Sequence, residues 1–460
     1  MKALRGVLIA LVVLMALGLG AVAGGYYLFR QSHVKIDGEV YDLRATEVDR
    51  RGMETSVALY KEIKDAIPAA LVHWDVPFQD AAYPEDTTEL TVTHLSQEDL
   101  ETLHYLPNLT KINGRECRDY DALLALEQQR PDCQVDFAIH LGDMALERDT
   151  DTLILGPENA TQQLPEVMPY LPKLTSVELA DPAIPASELY ALQEAYPNVT
   201  FTWTKDYMGK TYGMDVTELD FSNQELGDLQ ELENAMAYLP NLQKLILVEC
   251  GFDYEDLAAY RDRVRDQYKV VWGVHIGKGY IRTDATSYMP SLHHKQIYDE
   301  DTYNLRYCED LIAVDFGHIN VGETSWCVGT PHLKYLILGD GNVFNQHVKP
   351  LSGLQELEYL ELFNAPVTDI SPLTECKALK DLLLSGCFID TEPLKQMTWL
   401  DNLWLLNSGV KYQEGEDLRA ALPDTHIEIA GTRHGHSRGW RDLPNYFAMR
   451  DVFGMGYMKG

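Results

Sequence analysis

Residues 357–389, LEYLELFNAPVTDISPLTECKALKDLLLSGCFI, decide the fold. Leu357, Leu360 and Leu362 form an L-x-x-L-x-L triplet there, and Leu379, Leu382 and Leu384 repeat it 22 residues later. Outward from this stretch, Leu333, Leu336 and Leu338 begin 24 residues before Leu357, and Leu400, Leu403 and Leu405 begin 21 residues after Leu379. Leu311, Val314 and Phe316 give a related triplet 22 residues further upstream.

A period in the low twenties is that of leucine-rich repeats. Each short strand points alternate side chains into a core. The chain then returns along the outer side, and the next strand stacks beside the first. One turn cannot bury its own leucines, so the turns stand or fall together. The expected fold is α/β: a leucine-rich-repeat solenoid with a mainly parallel concave sheet, preceded by one transmembrane helix.

Over residues 311–410 the chain resembles bacterial surface leucine-rich-repeat proteins of the internalin type, whose consensus L-x-x-L-x-L-x-x-N-x-I-x-D-I-x-P-L residues 357–389 approach. The resemblance implies an exported protein that binds or adheres rather than catalyses. Where the family carries a ladder asparagine this chain has Ala365 and Cys387, while Asn364 and Asn407 fall one position early. The departure argues against a regular asparagine ladder.

The N-terminal half repeats on a longer period. LPNLTKING at 106–114, LPKLTSVEL at 171–179 and LPNLQKLIL at 239–247 are spaced by 65 and 68 residues. Helical stretches are expected after each, at Tyr120–Gln129, Ser187–Tyr196 and Tyr254–Val264, followed by the alternating segments QVDFAI, VTFTWT and KVVWGVHI. Pro68, Pro131, Pro197 and Asp266 are each followed 18 residues later by an aspartate, namely Asp86, Asp149, Asp215 and Asp284. The pattern leaves open whether the strand after each helix is parallel or turns back as a hairpin. Seven cysteines are scattered, and Cys117, Cys250 and Cys387 share one repeat position, where a buried thiol packs as a small apolar group and a weak donor.

Residues 7–29 form an unbroken apolar run after Lys2 and Arg5, long enough to span a bilayer, with Tyr26, Tyr27 and Phe29 at its outer end. It reads as an uncleaved anchor with the N-terminus inside and residues 31–460 outside. The competing reading is a signal peptide cleaved after Ala21-Val22-Ala23. The expected organisation is an anchor over 1–30, a juxtamembrane linker over 31–55 and a long-period array over 56–272. An irregular insertion over 273–310, repeats over 311–430 and a capping segment over 431–460 complete it. The formal charge of −33 repels phosphates, so no nucleic-acid partner is expected.

Catalytic motifs are not found, and neither a cofactor nor a metal is expected. His434, His436, Ser437 and Asp442 in TRHGHSRGWRD invite a triad reading, but adjacency in sequence is poor evidence for triad geometry. His293-His294 and Asp299-Glu300-Asp301 read as a solvated loop rather than metal ligands. The strand positions between the leucines carry more. Alternation puts Tyr335, Ile337, Tyr359, Phe363, Leu383, Trp404 and Leu406 on the outward face of the sheet, interrupted by Glu361, Asp381 and Asn402. The corresponding upstream positions are polar, from Glu89, Thr91, Lys111 and Asn113 to Ser176, Glu178, Glu218 and Asp220.

An apolar face of this kind implies an extracellular or envelope protein partner, or cover by the chain's own C-terminal segment. As anchors of an exposed ligand face, Tyr359 and Trp404 would be replaceable by alanine with little change in melting temperature. In residues 431–460, Asp442 and Pro444 suit a helix start, and Leu443, Tyr446, Phe447, Met449 and Phe453 form apolar ridges. That helix is expected to close the end of the array, with Trp440 near Ile427 and Ile429.

Overall fold

The chain is seen in a computed structural model that describes residues 2–159, 161–290, 297–429 and 439–455. It divides into two compact units, Met1–Thr204 and Lys205–Gly460.

The first unit begins with helix α1 (Lys2–Ser32), whose stretch Leu8–Ser32 is apolar, unburied and long enough to cross a membrane. Parallel strands then alternate with hairpins. Glu47–Arg50 pairs in parallel with Leu71–Phe78, whose second half turns back antiparallel on Ala81–Pro84. Glu89–Thr91, Lys111–Asn113 and Gln134–Asp136 form a parallel trio, followed by the hairpin Ile139–Leu141 and Met144–Leu146. Thr152–Leu155, Ser176–Ala180 and the strand Thr200–Tyr207 repeat the parallel arrangement. Helices stand at Tyr120–Gln129 and Ala186–Ala195, where the pattern predicts them. The segment after each helix thus does both things the sequence left open: it pairs in parallel, and the chain then turns back as a hairpin.

The second unit opens with one more trio, Glu218–Asp220, Lys244–Ile246 and Lys269–Val271, with helix Tyr254–Val264 before the last strand. The expected irregular insertion at 273–310 is not irregular where it is described. Gly273–Ile276 and Gly279–Arg282 form the same hairpin that closes the earlier trios, and Ser287–Tyr288 starts the next sheet. His293-His294 lies outside the described residues.

That next sheet has seven strands, all paired in parallel: β1 (Ser287–Tyr288), β2 (Ala313–Asp315), β3 (Tyr335–Ile337), β4 (Tyr359–Glu361), β5 (Asp381–Leu383), β6 (Asn402–Trp404) and β7 (His426–Glu428). One side of it is the main core. Leu336, Leu360, Leu382 and Leu403 are directly paired across β3–β6, and each is 0% exposed. Burying one such side chain contributes roughly 1.5–3 kcal/mol, so the stacked leucines dominate the cohesion of the turns.

How each turn leaves its strand explains the misplaced asparagines. His318, Asp340, Asn364, Gly386 and Asn407 all have positive φ, between 56° and 80°. This left-handed residue aims its N–H at the following turn, as in Asn364 N–H to Ser385 O (2.9 Å) and Gly386 N–H to Leu406 O (2.8 Å). Asparagine and aspartate tolerate the conformation best after glycine, which is why Asn364 and Asn407 sit one place early. A Cβ at Gly386 would crowd the Asn364 side chain, and its φ of 80° is one that side chains rarely adopt, so glycine is favoured there. The vacated ladder position is filled by thiols. Cys387 Sγ donates to Leu362 O (2.9 Å) and Cys250 Sγ to Phe221 O (3.1 Å), each reaching back across a turn. All seven cysteines are free and buried, and burial pushes the Cys387 thiol up to about 12.

Candidate functional site

The second side of the seven-stranded sheet carries its own apolar cluster, separate from the leucine core. Tyr335 and Ile337 on β3, Tyr359 on β4, Leu383 on β5 and Trp404 on β6 belong to it, with Leu406 just beyond β6. Phe363 packs half-buried at its edge. All seven side chains that the sequence reading put on the outward face lie in or against this cluster. That reading differs from the structure in their exposure: Tyr359 is 0% and Trp404 3% exposed.

The cover is the C-terminal segment. After Gly439, in a left-handed conformation, residues Trp440–Asp442 make a single 3-10 turn, and helix α2 (Pro444–Val452) follows. Proline at the first helical position is as expected. The predicted cap is not: the N-cap is Leu443, which has no side-chain oxygen to offer, and Asp442 lies in the preceding turn. Among its described residues, 439–455, the segment lies over the face, where Trp440 meets Tyr359 and Trp404 rather than Ile427. The Trp440 indole is 0% exposed, its centroid 5.0 Å from the Tyr359 ring and 5.2 Å from the Trp404 ring. Met449 is also buried in this cluster.

Polar groups orient the contact. Glu361 Oε2 accepts from Trp440 Nε1 (3.2 Å) and from the Tyr359 hydroxyl (3.0 Å). Asp381, 2% exposed, accepts from Asn402 Nδ2 (2.7 Å) and is bonded by the Asn445 side chain. Burial raises the Glu361, Asp381 and Asp315 carboxyls above the ordinary range. For Glu361 the two donors and Arg441 oppose that rise, and Asp315 adds to it. Beside these groups a cavity of about 480 Å³ remains between sheet and segment, lined by Asp315, Ile337, Glu361, Phe363, Arg441 and Phe453 among others.

A carboxyl whose pKa is raised on folding binds more protons in the folded state than in the unfolded one. Its contribution to stability therefore declines as pH rises through the folded-state pKa. Glu361→Gln keeps an oxygen acceptor for Trp440 and Tyr359 and removes the charge. The expected result is a variant more stable than the parent at neutral pH, with the difference vanishing on acidification below the usual carboxylate range. Parallel melting curves from pH 3 to 8 check it; a variant less stable at every pH contradicts it.

The remaining sequence candidates are not brought together here. His434, His436 and Ser437 lie outside the described residues. Asp299 Oδ1 accepts from Gly322 N (2.7 Å) and Glu323 N (3.1 Å), and Asp301 caps its own helix at Tyr298 N, so both have turn-forming duties. Among the described residues no group of three or more His, Cys, Asp or Glu is placed to hold a metal ion. The upstream positions Glu89, Thr91, Asn113, Glu178, Glu218 and Asp220 are exposed. What the sequence did not reveal is the role of Trp440, Glu361, Asp381 and Asn445. The available signal was two acids among apolar outward positions and a tryptophan in a segment with no repeat.

No family model matches the chain, and no curated protein matches it. Solved structures do. Internalin C2 of Listeria monocytogenes is 19% identical over 57% of this chain and 84% of its own, with a TM-score of 0.21. An internalin F from the same organism is 13% identical over 82% of this chain and 91% of its own, with a TM-score of 0.23. These are proteins of the type that residues 311–410 resemble.

Proposed function

We propose that the chain is an exported leucine-rich-repeat solenoid, held at the cell surface by α1, that binds a protein partner on the concave side of its parallel sheet. The supporting observation is that the face of β3–β6 holds a short helix of the chain itself, with an aromatic slot, the half-buried Glu361 and the buried Asp381 fixing the segment's position. Aromatic anchors in desolvated slots commonly dominate interface energetics. Tyr335, Ile337, Tyr359, Phe363, Leu383, Trp404 and Leu406 form the proposed ligand face. The exposed apolar α1, with Lys2 and Arg5 before it, supports a single span with residues 31–460 outside. The role is binding rather than catalysis, and the partner is an extracellular or envelope protein.

A photo-crosslinking residue in place of Phe363, at the half-buried edge of the face, tests this in intact cells. The expected result is a discrete protein adduct that is absent when the probe replaces Phe388, which is exposed outside this cluster. Protease added outside the cells should digest residues 31–460. A protected chain, or adducts that do not depend on probe position, would refute the reading.

A further inference from the structure

We infer that residues 439–455 are a built-in occupant of the ligand face, and that the external partner is a protein presenting a short amphipathic helix preceded by an indole. The inference rests on the protein-binding reading above and names the chemistry of the partner.

Four observations carry it. First, the cluster holding Trp440 and Met449 is separate from the leucine core on the opposite side of the sheet. The segment therefore leaves without opening the turns beneath it. Second, α2 is nine residues long and has no side-chain cap at its N-terminus. A helix that short is not stable alone in water, so its order comes from the face, as for a peptide that folds on binding. Third, the contacts are selective rather than greasy. The indole stands between Tyr359 and Trp404 with its N–H on Glu361, and Asn445 reaches Asp381.

Fourth, the fit among the described residues is incomplete. A cavity of about 480 Å³ remains between the segment and the sheet beside Ile337 and Phe363. Trp404 Nε1 is buried with no hydrogen-bond partner among the described residues. A tethered occupant tolerates such defects, because its effective concentration is of millimolar order whatever its intrinsic affinity. A partner arriving from solution has no tether and must fit better. The geometry assigns it a larger apolar side chain for the cavity and an acceptor, a carboxylate or amide oxygen, for Trp404 Nε1.

The probe is a labelled synthetic peptide of residues 439–455, titrated by fluorescence anisotropy against the full chain and against full chain carrying Trp440→Ala and Met449→Ala. The expected result is binding to the variant at least about tenfold tighter than to the parent, since the parent's own segment competes at millimolar effective concentration. Adding Glu361→Ala to the variant should weaken the peptide again. A peptide that binds neither chain, or both equally, overturns the inference.

Should the variant fold poorly, hydrogen exchange on the unaltered chain decides instead. Peptide in large excess should speed exchange at 444–452 and leave 381–383 and 402–404 protected. Exchange at 444–452 as slow as in those strands, with and without peptide, would make the segment a permanent part of the fold. Dimerisation of the unaltered chain that the double substitution abolishes would show that the occupant is a second copy's segment and not another protein's helix. If Phe363 captures a partner in cells while the peptide fails, the inference falls and the protein-binding function stands. If the peptide displaces the segment but no partner is captured, the function falls instead.

Discussion

Leu382→Ala should lower the unfolding free energy by about 2–5 kcal/mol, the range found for other buried leucines. Leu382 is 0% exposed and sits at the centre of β5, paired with Leu360 on one side and Leu403 on the other. Both neighbours are themselves fully buried, and their strands are fixed by the left-handed turns that follow them. The site therefore has little freedom to collapse onto the missing atoms, which favours the upper half of the range. Urea unfolding of parent and variant measures the change. Because each turn touches only its neighbours, exchange protection should drop first in β4–β6. A cost near zero would mean that Leu382 does not belong to the inner register.

The second large effect is expected at Tyr359. Its side chain is 0% exposed beneath the C-terminal segment and its hydroxyl donates to Glu361. Tyr359→Ala should cost about 3–5 kcal/mol, as truncation of other large buried aromatics does. Tyr359→Phe, which loses only the hydrogen bond, should cost about 1 kcal/mol. The burial reverses what the sequence suggested for this position and for Trp404, where alanine was expected to spare the melting temperature. A thermodynamic cycle with Trp440→Ala separates the contributions. If Tyr359 is stabilised by the indole above it, the two losses should be strongly non-additive. Additive losses would show that Tyr359 is held by the sheet alone.

The turns were legible because their cause is local. Leucines three and two apart must recur where a short strand meets one core, and the helices Tyr120–Gln129 and Tyr254–Val264 stand where the pattern predicts them. The hairpins were harder to see. Gly273–Arg282 alternates like the strand before it, and only the chain reversal at Gly277, in a left-handed conformation, distinguishes the two. The same ambiguity made 273–310 look irregular. The sequence showed Asn364 and Asn407 out of step with a ladder but not why, since spacing alone does not reveal the left-handed conformation that both adopt. Strand alternation groups the seven outward residues, which lie in or against one cluster. Their cover was not located, because Trp440 and Glu361 are 79 residues apart and no period links them. Proline at 444 fixed the start of α2 correctly, while the aspartate two places earlier is drawn into the tight turn that delivers Trp440 to its slot.

The grip on Trp440 has a bearing on how such a chain evolves. Leucine-rich turns multiply by duplication, and an array with free faces gains or loses one at little cost to its neighbours. Here the indole is held by Tyr359 on β4 and by Trp404 on β6, with β5 between them. Neighbouring strands stand about 4.8 Å apart, so a turn duplicated between β4 and β6 would move the jaws apart by that much and leave the ring in contact with only one of them. Duplications upstream of β2 or beyond β6 change no such distance. The three turns from β4 to β6 should therefore be inherited as a block of fixed length, with variation in turn number among descendants of this gene confined to either side of it.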